Sequence, residues 1–146
     1  MTSRDHDLRV LVVTPTGRDG PLICNLLTSK GIYCLNFPTA EMAQIEMNAG
    51  AGAVILAEEG LTPPDIAAWT EQIADQPSWS DFPLILLTVA GEVDRESQKR
   101  VLFRQPLGNV VLLERPIRPE TLISTVQAAL RSRRRQYQIR DYLAER

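Results

Sequence analysis

Five short apolar runs constrain this chain more than any other feature, because they do not alternate apolar with polar residues. The runs are Leu8 to Val13, Ile32 to Leu35, Ala53 to Ala57, Pro83 to Thr88 and Asn109 to Leu113, and they contain stretches such as Val-Leu-Val-Val and Leu-Ile-Leu-Leu. A strand with one wet face reads apolar, polar, apolar. A strand covered on both faces reads as a continuous apolar run. Each run is followed by a segment that can be helical, so the pattern predicts a parallel sheet with helices on both faces.

The punctuation between the runs agrees. Pro21 suits the first turn of a helix ended by Gly31, and Thr39 can cap a second helix ended by Gly50. A third helix begins at Pro63-Pro64-Asp65, passes through Trp69 and Ile73 and stops before Pro77, leaving Asp75 to Phe82 as a loop. A fourth, Glu92 to Gln105, has only the thin apolar stripe Val93, Val101, Leu102 and Phe103, and is closed by Pro106 and Gly108. Five βα units with right-handed crossovers and one reversal of direction give an α/β, doubly wound (βα)5 sheet of order 2-1-3-4-5. In such a sheet a site lies at the carboxyl ends of the strands. The loops concerned are Thr14 to Gly20, Glu58 to Pro63, Thr88 to Gly91 and Glu114 to Pro119.

With 146 residues, 44% of them hydrophobic and 23% charged, the chain suits one ordinary domain with its own core. A net charge of -2 gives no general attraction to nucleic acid or anionic lipid. No apolar run approaches the ~18 residues of a membrane span, and the start Met1-Thr2-Ser3-Arg4-Asp5-His6-Asp7 lacks the apolar core of a leader, so a cytoplasmic chain is expected. Cys24 and Cys34 have no CxxC spacing and are expected as free, buried thiols, with a disulfide as the alternative. No GxSxG, P-loop, HExxH or Cys–His pairing points to an enzyme. Trp69 is expected in the core. Trp79, between Pro77 and Asp81, is expected either as an exposed interface anchor or as a staple for its loop.

The last segment outruns the sheet. A helix from Glu120 to Arg146 would be about 40 Å long. Ile123, Leu130, Tyr137 and Ala144 recur at intervals of seven, with Val126 as a further apolar position and Arg133 and Arg140 at its later equivalents. That spacing predicts an interrupted coiled-coil seam and a homodimer. The expected division is therefore a domain over 1–130 and a basic helical extension over 131–146, acting as linker or dimerisation helix. The arginines of Arg131 to Arg135 resemble a nucleic-acid footprint, but Asp141 and Glu145 follow and no second reading element accompanies them. Nucleic acid is not an expected partner.

At the strand ends the chain resembles the CheY-type receiver domains of two-component response regulators, over roughly residues 8 to 130. Ile-Leu-Leu-Thr at 85 to 88 matches the Ser or Thr that ends the fourth receiver strand, and Leu-Glu-Arg-Pro at 113 to 116 resembles the receiver Leu-x-Lys-Pro. The resemblance implies where a phosphorylation site would sit, and there the sequence departs from the family. The two acids that hold magnesium after the first strand are replaced by Thr14-Pro15-Thr16, and Asp19 comes several residues later. Strand counting puts Ala57 at the phosphoacceptor aspartate, with Glu58 one residue off. Glu58 without a metal is a poor nucleophile towards a phosphodonor, although its charge can imitate a phosphorylated aspartate. Arg115 replaces the lysine and can pair with Glu58, the alternative being two separately solvated charges. Leu112 stands where receivers carry the aromatic that couples to Thr88.

Thr14, Ala57, Glu58, Thr88 and Arg115 thus form a degenerate receiver site, with no catalytic residue, metal or cofactor expected. The pattern, with its arginine-rich ending, is also similar to the amino-terminal pseudo-receiver region of some bacterial sensor histidine kinases, where such a helix leads on to kinase modules. That resemblance implies a non-catalytic, phosphorylation-independent signalling module acting through protein contact, followed by kinase or other signalling domains in a longer chain. The alternatives are a phosphorylatable receiver with displaced acids, and a flavodoxin-like nucleotide or flavin binder using the loop Thr14 to Gly20 in front of a helix amino terminus.

Overall fold

The computed structural model describes residues 6–14, 19–88 and 109–145. The helix expected at Glu92 to Gln105, most of the loop after Thr88 and positions 15–18 of the first loop lie outside the described residues. The elements run β1 (Val10–Val13), α1 (Asp19–Ser29), β2 (Cys34–Phe37), α2 (Ala40–Met47), β3 (Ala53–Ala57), a 3-10 turn (Glu58–Gly60), α3 (Pro63–Ala74), β4 (Leu84–Thr88), β5 (Val110–Glu114) and α4 (Pro119–Ala144). All strand pairs are parallel and the order is β2-β1-β3-β4-β5.

Every residue of β1, β3 and β4 is buried, which is why those runs are apolar up to the terminal Thr88 of β4. Successive side chains point to opposite faces of a strand, so each run feeds two cores. Leu11, Val13, Val54, Leu56, Leu84 and Leu86 face Ala43, Ile66, Trp69 and Ile73 of α2 and α3. Val10, Val12, Ile55, Ile85 and Leu87 face Ile23 and Leu27 of α1 and Leu122, Val126 and Leu130 of α4.

The caps follow from local chemistry. Thr39 Oγ accepts the Met42 N–H at 3.2 Å. Thr62 and Asp65 form a reciprocal capping box, at 3.2 and 2.9 Å. At the end of α1, Gly31 has φ +77°, which a side chain would resist. The Ile32 N–H there bonds the Leu27 carbonyl while the Gly31 N–H bonds that of Thr28, both at 3.0 Å, a Schellman closure. This closure corrects the second strand: Ile32 is used in the helix cap, and β2 starts two residues later than expected, at Cys34. The two cysteines are free and half-buried rather than buried. Their side chains hydrogen-bond one another, which lowers the Cys24 thiol pKa and, with burial, raises that of Cys34.

The larger correction concerns α4. Its 26 residues span about 39 Å, but the proposed seam faces the chain's own sheet. Val126 and Leu130 are core residues, Tyr137 is buried with its hydroxyl donating to the Ala51 carbonyl at 2.9 Å, Ile123 is half-buried, and only Ala144 is exposed. A seven-residue repeat is two helical turns, and a helix lying on a sheet has that same repeat. The expected boundary at 130 fails for the same reason, because Arg133, Gln136 and Tyr137 are all buried against the domain. Gln136 binds both backbone groups of Asp81, accepting its N–H at 2.8 Å and donating to its carbonyl at 2.9 Å. The approach of α4 to the sheet is close at Gly52, where a Cβ would collide with the Leu130 side chain and the Leu8 carbonyl. No described helix is long and apolar enough to cross a membrane.

Candidate functional site

The five residues read from the sequence do converge at the carboxyl edge of the sheet. Thr14 leaves β1, Ala57 ends β3, Glu58 opens the 3-10 turn, Thr88 ends β4 and Arg115 follows β5. The register sets Thr88 opposite Glu114, and the Arg115 N–H donates to the Thr88 carbonyl at 2.9 Å, carrying the ladder one residue beyond β5.

What these residues do there differs from the expectation in one respect. Glu58 is only 1% exposed, and Arg115 pairs with Glu59 and Asp19 rather than with Glu58. The Arg115 Nη1–H donates to Glu59 Oε2 at 2.9 Å, Nη2 lies 2.8 Å from Glu59 Oε1, and the same nitrogen is 3.3 Å from Asp19 Oδ2. Burial works against the Arg115 cation, but the hydrogen bonds and charges of Glu59 and Asp19 outweigh it and leave its pKa above the ordinary value. Because this pair is partly exposed, with Glu59 at 41%, its contribution to stability is small, about 1 kcal/mol or less.

Sequence reasoning missed Glu59. The signal lay next to the chosen residue: the 3-10 turn after Ala57 swings consecutive side chains in different directions, so strand alternation stops predicting orientation there.

The remaining positions carry no acid. Thr14 is buried and its hydroxyl donates to Asn36 Oδ1 of β2 at 3.3 Å, and Thr88 is buried as well. Leu112 packs against the core instead of presenting an aromatic beside Thr88. A receiver holds a divalent cation with several oxygen ligands, mostly carboxylates. The residues here do not fit one, since a threonine follows the first strand, an alanine ends the third, and Asp19 and Glu59 are already engaged by Arg115. Among the described residues no group of three or more His, Cys, Asp or Glu side chains is arranged to hold a metal. Asp19 also sits in the first turn of α1, where its carboxylate answers the helix dipole that a phosphate would otherwise meet.

Of the residues assigned to a linker helix, Ile123, Val126, Leu130 and Tyr137 lie on the packed side of α4 and Ala144 on its exposed end. Arg133, within the run that resembles a nucleic-acid footprint, is buried and lies at the opposite edge of the sheet. Trp79 is half-buried and staples its loop to α4, its ring 5.7 Å from that of Tyr137 and within 5.8 Å of the guanidinium of Arg140.

No protein-family model and no curated protein matches the sequence. Solved structures do match in fold. NtrX from Brucella abortus, in complex with ATP, is 18% identical at a TM-score of 0.68 over 92% of this chain and 29% of that one, so the chain spans under a third of the NtrX chain. A CheY-like response regulator receiver domain protein from Methanospirillum hungatei is 12% identical at a TM-score of 0.71, over 88% of this chain and 98% of that one. Full-length FixJ from B. japonicum is 22% identical at 0.65, over 86% and 58%. The chain therefore has the response-regulator receiver fold.

Proposed function

We propose that the chain is a non-catalytic signal-transduction module of a two-component system, a pseudo-receiver acting in the cytoplasm by protein contact and without phosphorylation of its own. The observation that carries this reading is the Arg115 clamp. In a phosphorylated receiver site, carboxylates must be available to a metal and to a phosphodonor. Here the partly exposed acids Asp19 and Glu59 are drawn onto one guanidinium, the acceptor position is Ala57, and the adjacent Glu58 is buried. Incubation with acetyl phosphate and magnesium, followed by intact-mass measurement, is expected to leave the mass unchanged. A stoichiometric phosphoryl adduct would sink the idea and favour a receiver with displaced acids.

The proposed output is the far end of α4, leading to kinase or other signalling domains. With most of the seven-residue seam buried, Ile139 and Leu143, both about half exposed and four residues apart on one face of α4, offer an apolar stripe for a homodimer contact. Light scattering across a concentration series is expected to show a dimer that Leu143→Glu dissociates. A monomer at every concentration removes the homodimer from the proposal.

A further inference from the structure

The edge of the sheet opposite the degenerate site holds a cleft of about 480 Å³ between the turn that follows α2, the end of α3 and the extension of α4. Its lining includes Arg133, a residue only 6% exposed. Burying an arginine without an anionic partner is expensive, and among the described residues no carboxylate lies within ion-pairing distance of it. Burial lowers its pKa, though a guanidinium keeps its proton at neutral pH.

Neutral groups hold part of this cation. Nε donates to the Ala51 carbonyl at 3.1 Å, and Nη1 donates to Ser80 Oγ and to Gln136 Oε1, both at 2.7 Å. The guanidinium carbon also lies 4.6 Å from the ring centroid of Tyr137, 4.9 Å from Phe82 and 5.4 Å from Trp79, at cation–π distance. These three bonds engage Nε and Nη1, leaving Nη2 outside the set. Arg133 lines the cleft, and there the Tyr137 hydroxyl and the more distant Asp7 carboxylate temper its charge without an ion pair.

We infer that this cleft is a binding site for a small organic monoanion, a carboxylate carried on a planar or apolar body, with the carboxylate on Arg133 Nη2 and the body against Trp79 and Pro77. The volume is too large for a lone inorganic ion. The second cation in the cleft, Arg140, is matched by Asp141 at 2.9 Å and Asp7 at 3.8 Å, so Arg133 is the cleft's cation without a carboxylate at ion-pairing distance. Asp75 on the rim adds a negative charge that opposes a dianion more than a monoanion. The site is independent of how the Arg115 end of the sheet works, and nothing in it depends on phosphorylation.

Benzoate is the probe, titrated into the full chain at constant ionic strength, with Trp79 fluorescence and backbone amide shifts as readouts and Trp79→Phe as the optical control. The expected result is a saturable change at Ala51, Ser80 and Tyr137. Arg133→Lys, which keeps the charge and loses the fork, is expected to weaken benzoate on the order of tenfold or more. Because Arg133 also holds Ala51 and Ser80, a second variant outside those bonds carries the test separately: Asp75→Asn is expected to tighten benzoate about twofold to fivefold. Absence of saturation at any soluble concentration overturns the inference, as does binding that neither variant alters. Phenyl phosphate binding more tightly than benzoate overturns the carboxylate assignment.

Discussion

Arg115 and Arg133 sit at opposite edges of one sheet and solve the same electrostatic problem differently. Arg115 is about one-fifth exposed and meets two carboxylates, so its charge is cancelled by groups that remain partly in water. Arg133 is almost wholly enclosed and meets a carbonyl, a hydroxyl, an amide and three aromatic faces, so its charge is dispersed but not cancelled. The difference teaches where a ligand could gain from binding. At the Arg115 edge an incoming anion must displace a carboxylate, whereas at the Arg133 edge it meets a cation with no carboxylate at ion-pairing distance among the described residues.

That contrast can be broken most directly by ending the chain at Leu130. This removes Arg133, Gln136 and Tyr137 and strips partners from the Ala51 carbonyl and from both backbone groups of Asp81, while leaving the Arg115 edge untouched. The expected loss is on the order of 4–6 kcal/mol, read as a fall in the urea midpoint. A shortened chain of unchanged stability would mean that the helix beyond Leu130 does not belong to the domain.

A milder change sharpens the same edge. Tyr137→Phe deletes the hydroxyl that donates to Ala51 and keeps the ring beside Arg133, so it is expected to destabilise by about 1 kcal/mol. Being enclosed, the bond should lose the same amount in low and high salt. The smallest effect belongs to the other edge. Glu59→Gln is expected to destabilise by less than about 1 kcal/mol, and the difference should shrink as salt screens the exposed pair. Equal salt dependence for the two variants would erase the distinction between the edges.

The sheet was legible because burial on both faces leaves a continuous apolar signature, and the strands expected from Ala53 to Ala57 and Pro83 to Thr88 are found within one residue of those bounds. The β2 start was not legible, since Ile32 is β-branched and apolar whether it opens a strand or closes a helix. Strand counting was enough to bring Thr14, Ala57, Glu58, Thr88 and Arg115 to one edge. It could not identify Glu59 as the partner of Arg115, because the 3-10 turn decides which of two adjacent glutamates faces the cation.

The extension of α4 was misread for a related reason. Spacing records that a helix has an apolar side, not whether a sheet or another helix covers it. One sign was present: Val126, Leu130, Arg133 and Tyr137 follow each other at steps of four, three and four, which puts Arg133 on the buried stripe rather than among its solvated neighbours Arg131, Arg134 and Arg135.

The notch at Gly52 has a mechanical meaning. Because Leu130 sits where a Cβ would otherwise be, α4 is indexed against the entrance of β3 as a ratchet tooth is indexed in its wheel. Sliding the helix by one turn, about 5.4 Å, would lift Leu130 from the notch and carry Arg133 and Tyr137 off Ala51 in the same movement. A push along the helix axis is therefore transmitted to the body of the domain as a rigid displacement.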